Sequence, residues 1–274
     1  MLKKRFAVIF CWATIVYAAT AVADEGPREI QDNSFLIEEA YNQEDGVIQH
    51  IQAFSLHKGG SWAYTFTQEW PVPGQTHQLS YTIPVDRTVE DGRGKTGIGD
   101  VALNYRYQAV LKDNIAFAPR FSVLLPTGGY KKGLGSGTVG YQINLPLSVK
   151  LSDRFVTHYN LGMTFTPNSK DQVGGKADTF STNYGASVIY LASKNLNLML
   201  EAAGSSDQIV VGSGRTDNEN SLFINPGLRY AVDCKVKGMD VLQIVPGISF
   251  PIGVGPSKGE YGVLAYLSIE HSLF

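Results

Sequence analysis

Ten polar residues sit among apolar and aromatic neighbours in stretches that alternate in character: Glu69, Asp100, Asn104, Arg106, Arg120, Lys150, His158, Glu201, Arg229 and Glu270. Four acids balance four bases. In a confined interior such charges are tolerable when paired and hydrogen-bonded, so the set reads first as an ion-pair network that bridges and narrows an enclosed space. It also reads as the lining of a polar path for a small solute, with Arg106, Arg120 and Arg229 placed to contact a carboxylate or phenolate. The sequence leaves both readings open.

Catalytic chemistry finds little support. His50, His57, His77, His158 and His271 lie on distant stretches, with no Ser and acid partner that an alternating register would bring beside them and no metal-ligand spacing. Gly135, Gly137 and Gly140 fit G-x-G-x-x-G, but alternation rather than a helix start follows, so the anion-binding geometry is missing. "GRGKT" (92–96) lacks the first glycine of a phosphate-binding loop, since Val89 stands in its place. "GLGSG" (133–137) contains a serine without a nucleophile elbow. The expectation is a protein that is not an enzyme and needs neither cofactor nor metal.

The elements that must position these residues announce themselves in "VALNYRYQ" (101–108), where Val101, Leu103, Tyr105 and Tyr107 alternate with Ala102, Asn104, Arg106 and Gln108. A strand sends successive side chains to opposite faces, so this ribbon is oily on one side and polar on the other. The same pattern runs through 138–151, where Tyr141, Ile143, Leu145 and Val149 oppose Gln142, Asn144, Ser148 and Lys150, and through 154–166, with Thr157 and Val156 as misfits. Twelve such segments can be counted from Val47 onward, near 47–56, 61–71, 76–85, 97–111, 115–127, 138–151, 154–166, 179–192, 196–210, 220–232, 240–253 and 260–274. Short links at 72–75, 111–114, 152–154 and 192–195, with a slightly longer one at 233–238, alternate with links that are tight at 57–60 and otherwise long, glycine-rich and charged, at 86–96, 128–137, 167–178, 205–220 and 253–260. Short turns at one rim and long loops at the other are what a transmembrane barrel requires, one end facing the periplasm and the other the outside.

The chain opens with Lys3, Lys4 and Arg5 before an apolar run that ends Ala21-Val22-Ala23, the pattern of a cleavable signal peptide over 1–23. Removing three of 23 basic residues and none of the 25 acidic ones leaves a mature balance of −5, which argues against nucleic acid as a partner. Cys11 and Cys234 fall on opposite sides of the cleavage point, so no internal disulfide is expected. Residues 24–46 lack alternation and form an N-terminal periplasmic segment. Within it "NSFLIEEAYN" predicts a short helix over 34–41, capped by Asn33 or Ser34, that either trails as a tail or folds into the lumen as a plug pairing its carboxylates with the inward bases.

The expected fold is all-β: a transmembrane antiparallel up-and-down barrel of about twelve strands over 47–274, in the bacterial outer membrane. "IQDNSFLIEEAYNQE" (30–44), "GIGDVALNYRYQ" (97–108), "APRFSVLLPTG" (118–128), "GLGSGTVGYQINLPLS" (133–148) and "IVPGISFPIGV" (244–254) together resemble the bacterial outer-membrane barrels of the meta-pathway of phenol degradation type. That resemblance covers nearly all of the mature chain and implies passage of aromatic compounds. Phe274 looks like the terminal aromatic read by the barrel assembly machinery; it falls on the inward parity with Tyr266, Ser268 and Glu270, so either a bulge near His271 resets the register, the favoured reading, or the terminal aromatic points inward. Pro119, Pro146, Pro226 and Pro246 lie inside expected strands, and the shared Pro-Gly step of 224–230 and 244–250 predicts kinks at related heights. Arg93, Lys95, Lys131, Lys132, Lys170, Lys176 and Arg215 in the long loops suit contact with anionic lipopolysaccharide, beside outer-membrane lipid around the wall. The expected function is a channel for small, aromatic or hydrophobic compounds. The alternative is a non-conducting structural or adhesive barrel acting through its outer loops.

Overall fold

A computed structural model describes residues 29–90, 92–236 and 241–273. Twelve antiparallel strands form one closed ring: β1 (Val47–His57), β2 (Trp62–Pro71), β3 (His77–Glu90), β4 (Arg93–Ile98, Val101–Tyr107 and Val110–Lys112), β5 (Ile115–Phe117 and Arg120–Leu125), β6 (Gly140–Asn144 and Leu147–Ser152), β7 (Phe155–Lys170), β8 (Lys176–Leu191), β9 (Leu196–Gly212), β10 (Arg215–Tyr230 and Val232–Asp233), β11 (Leu242–Ser249 and Ile252–Gly253) and β12 (Gly262–Ser272). Each strand pairs with its sequence neighbours, and β12 returns to β1 with Gly262 opposite His57 and Ser272 opposite Val47. Closure removes both sheet edges, which no bilayer could tolerate unpaired.

Alternation sorts the wall as the sequence predicts. Leu103, Tyr105, Ile143, Leu161, Met163 and Leu200 stand exposed on the outside, while Asn104, Arg106, Asn144, Asn160 and Glu201 are buried within. An exterior this greasy matches lipid rather than water. Aromatic contacts cluster along it, as between Phe155 and Tyr190 (5.3 Å) or Phe121 and Tyr141 (6.4 Å). Both chain ends of the barrel lie at one rim, the periplasmic one by the topology of this class.

Three expectations change. Much of the sequence at 86–96, 167–178 and 205–220 forms strand rather than loop: β3 and β4 pair out to Glu90 and Arg93, and β7, β8, β9 and β10 run on and turn over tightly, with Gly214 at φ +68° in the two-residue β9–β10 hairpin. Strand above the membrane faces water on both sides, so its polar composition hides it from a periodicity reading. The last strand keeps an unbroken register with β1 up to Ser272, with no bulge near His271, whose Nε2 lies 3.2 Å from Nε2 of His50. Pro119 and Pro146 do interrupt β5 and β6, at breaks that face one another through the Ala118 N–H to the Pro146 carbonyl (3.2 Å). Pro226 and Pro246 pair without a break opposite Leu200 and Leu267, but the β10–β11 ladder on their other side is interrupted at both prolines, in keeping with the expected kinks. The signal peptide and Phe274 fall outside the described residues.

The third change concerns the N-terminal segment. Residues 29–45 form no helix; they run irregularly extended through the inside of the barrel, with Ile30, Asp32, Ser34, Ile37, Glu39, Ala40 and Asn42 buried. Of the two fates open to that stretch, tail or plug, the luminal one is adopted, in a different conformation.

Candidate functional site

An extended chain inside a barrel has no ladder partner, yet its buried N–H and C=O groups must be paired. The wall supplies side chains in place of strands. Leu36 and Ile37 N–H donate to Glu201 Oε1 (2.9 and 3.1 Å), Glu38 N–H to Asn160 Oδ1 (2.8 Å), Ala40 N–H to Ser148 Oγ (2.9 Å), Asn42 N–H to Gln108 Oε1 (2.8 Å) and Gln43 N–H to Gln78 Oε1 (2.7 Å). In return Asn160 Nδ2 donates to the Glu38 carbonyl (2.7 Å) and Gln108 Nε2 to that of Ala40 (2.8 Å). These acceptors and donors are the inward-parity residues of five strands, β3, β4, β6, β7 and β9, which is why amides sit at mid-strand.

Two arginines clamp the segment. Arg229, fully buried on β10, donates to the carbonyls of Ile30 (2.6 Å), Asp32 and Asn33 (2.6 Å). Arg106 on β4 donates to the carbonyls of Glu39 (3.2 Å) and Tyr41, to Asn42 Oδ1 (2.8 Å) and to Gln78 Oε1 (3.2 Å). The one charged side chain of the segment that meets wall arginines is Glu38, among the described residues: Arg120 Nε lies 3.0 Å from each carboxylate oxygen, Arg106 Nη1 lies 3.3 Å away, and Asn144 Nδ2 donates at 2.7 Å. Burial would raise the Glu38 carboxyl, but Arg120 and Arg106 more than offset it and hold it below the ordinary value. Glu39, buried beside Asp32, is pushed well above it.

Apolar anchors complete the fit. Phe35 meets Tyr266 edge to face, centroids 5.9 Å apart at 86°, and packs against the inward cluster of Val156, Ile189, Leu191 and Met199. Val156, the misfit of the alternation, belongs to this patch. A Cβ on Gly247 would stand 2.8 Å from the Phe35 ring, and one on Gly227 nearer still; Gly185 likewise clears Ile37. The two Pro-Gly steps are therefore sockets, and the glycine is the operative residue.

Arg106, Arg120, Asn104, His158, Glu201 and Arg229 are thus gathered around the segment, Asn104 accepting from Arg120 (3.2 Å) and His158 Nδ1 lying 2.7 Å from Ser148 Oγ. Glu69 is adjacent, accepting from Gln78 (2.6 Å) and 3.8 Å from Arg106. The other three lie apart. Asp100 accepts from the N–H groups of Gly128 (2.9 Å) and Ser136 (2.8 Å), tying down the loop over 126–139. Lys150 reaches the rim turn at Asp153 (3.4 Å), and Glu270 faces a periplasmic cavity of about 290 Å³ with Glu29, Glu39 and Glu44. Across the segment an outer cavity of about 320 Å³ is lined by Phe35, Glu38, Ile51, Thr67, Arg120 and Tyr266. Sequence reasoning missed Phe35, Ile37, Gln78, Gln108 and Asn160; the inward parity of the last three was the available signal.

A closed twelve-stranded ring with a greasy outside and a polar, chain-filled inside is an outer-membrane β-barrel of the porin-like architecture. The family model described as "Putative MetA-pathway of phenol degradation" matches residues 51–237, and the chain belongs to that family. Among curated proteins nothing matches. The fold is similar to the COG4313 outer membrane channel from Pseudomonas putida F1, with 11% identity, TM-score 0.57, and coverage of 89% of this chain and 99% of that one. It is similar also to the NanC porin, with 10% identity, TM-score 0.52, and coverage of 82% and 100%. At these identities the likeness is one of fold.

Proposed function

We propose that the protein is an outer-membrane channel for small solutes, in the first place aromatic or apolar compounds, whose lumen is governed by its own N-terminal segment. The observation that carries this reading is the segment itself, held between two cavities chiefly by side chains rather than by a backbone ladder. Side-chain hydrogen bonds are exchanged one at a time, so a segment held this way can shift without breaking the barrel. A twelve-stranded ring also lies between the filled eight-stranded barrels and the open sixteen-stranded ones. The solved COG4313 channel and NanC porin share the fold, and the family description names phenol degradation, which motivates the choice of solute.

The reading includes a leader over 1–23, an N-terminal periplasmic segment over 24–46 and a barrel over 47–274, delivered through the barrel assembly machinery and bounded by lipid and lipopolysaccharide. Planar-bilayer recording of the heat-modifiable mature chain tests it. Discrete conductance steps are expected, with uptake of phenolic acids into liposomes lowered by Arg106→Ala and Arg120→Ala. Silence of a correctly folded preparation would favour the alternative, a structural or adhesive barrel, for which the strand extensions of β7 to β10 above the membrane speak.

A further inference from the structure

Glu38 fills a socket shaped for a carboxylate. Its oxygens receive Arg120 Nε at 3.0 Å each, Arg106 Nη1 at 3.3 Å and Asn144 Nδ2 at 2.7 Å. All of these donors belong to the wall strands β4, β5 and β6, and the wall also holds the two arginines: Arg120 donates to Asn104 (3.2 Å) and Ser122, Arg106 to Gln78 (3.2 Å). Withdrawing Glu38 would leave two guanidinium groups and an amide still converging. Arg106 would keep Glu69 at 3.8 Å, but Arg120 would lose its carboxylate, and an enclosed cation without one is costly, so the vacated socket calls for an anion.

The surroundings select which anion. Glu38 and Arg120 line the 320 Å³ outer cavity, whose other walls include Phe35, Ile51, Ala53 and Tyr266. Small-molecule pockets run from about 300 Å³ upward, so this one suits a single small body. Glu69, 3.8 Å from Arg106, opposes a more highly charged group such as phosphate. Resting on the channel reading above, we infer that Glu38 is a built-in mimic of a small monocarboxylic acid with an apolar body, which takes its place on Arg106, Arg120 and Asn144 during passage. The exchange is one carboxylate for another. Its apparent affinity is therefore reduced by the fraction of time the internal competitor is seated.

Equilibrium dialysis of benzoate against the detergent-folded mature chain tests this, with benzyl alcohol as the uncharged probe. Glu38→Gln removes the competing charge and should raise benzoate affinity about tenfold or more over wild type, leaving benzyl alcohol unchanged. Adding Arg120→Gln to it should abolish the gain. Glu38→Asp, which keeps a carboxylate but draws it back from Arg120, should give an intermediate rise and serves if the glutamine variant fails to fold. Equal benzoate affinity in wild type and variants, or an equal gain for benzyl alcohol, overturns the inference. Conductance of the same preparations separates it from the channel reading: a conducting barrel indifferent to benzoate sinks the mimic alone. A silent barrel that binds benzoate through Arg120 upholds the socket and sinks the channel.

Discussion

The ring of Phe35 stands edge to face on that of Tyr266, 5.9 Å between centroids, over a stretch of wall where Gly227 and Gly247 carry no side chain. Phe35 is the apolar anchor of a segment otherwise held by polar contacts. Phe35→Ala should weaken that hold by up to about 3 kcal/mol, given its partial burial. The expected readout is longer or larger conductance steps with unchanged heat modifiability.

Filling the socket should act like removing the anchor. Gly247→Leu places a side chain where the Phe35 ring lies, 2.8 Å from the new Cβ, with the wall carbonyl of Leu228 farther off at 3.2 Å. The segment should be expelled and become cleavable by protease added at the periplasmic face, while the barrel itself resists. A barrel with the segment still protected would show that the socket is dispensable.

Arg106→Ala leaves the carbonyls of Glu39 and Tyr41 without their donor. Each buried group so orphaned costs about 1–3 kcal/mol, more than the segment's neighbouring neutral contacts supply. Hydrogen exchange at Ala40 to Gln43 should quicken by more than tenfold, and at the strand amides hardly at all.

Acid and alkali should loosen the segment for opposite reasons. The Glu38 carboxyl is held below its ordinary value, so its contribution is present above that value and lost as pH falls through the lowered one. The Glu39 carboxyl is raised by burial, so its contribution is full below the ordinary value and lost as pH rises through the raised one. Conductance measured against pH should rise at both ends, and Glu39→Gln should shrink the alkaline limb without moving the acid one, since Asp32, also raised by burial, retains part of it.

Asp100 concerns the outer mouth. It ties Gly128 and Ser136 through hydrogen bonds to a charged acceptor, each worth about 1.5–3 kcal/mol. Asp100→Ala should expose the loop over 126–139 to protease on intact cells without changing barrel stability.

Much of the ring was legible because its chemistry is local: Leu103, Tyr105 and Tyr107 outward against Asn104 and Arg106 inward is a statement about adjacent residues. The inward parity of Arg120, Glu201 and Arg229 followed from the same rule. The path of residues 29–45 did not. "NSFLIEEAY" has the composition of a helix start, and what holds it extended is Glu201, 165 positions from Leu36, and Arg229, 199 positions from Ile30. No window along the chain contains that information. The sockets at Gly227 and Gly247 were visible as Pro-Gly steps, but their meaning depends on a ring that arrives from the other end of the molecule.

The strands differ in length around the circumference. β1, β2 and β12 have 11, 10 and 11 residues, enough to cross and no more, whereas β7, β8 and β9 have 16, 16 and 17. At about 3.3 Å per residue and a tilt near 40°, the surplus raises one side some 15 Å above the other. The mouth is accordingly uneven, highest along β7 to β10 and lowest beside β12, β1 and β2, with a lesser rise where β3 and β4 pair as far as Glu90 and Arg93. The lowest way into the interior from the side is therefore over β12, β1 and β2.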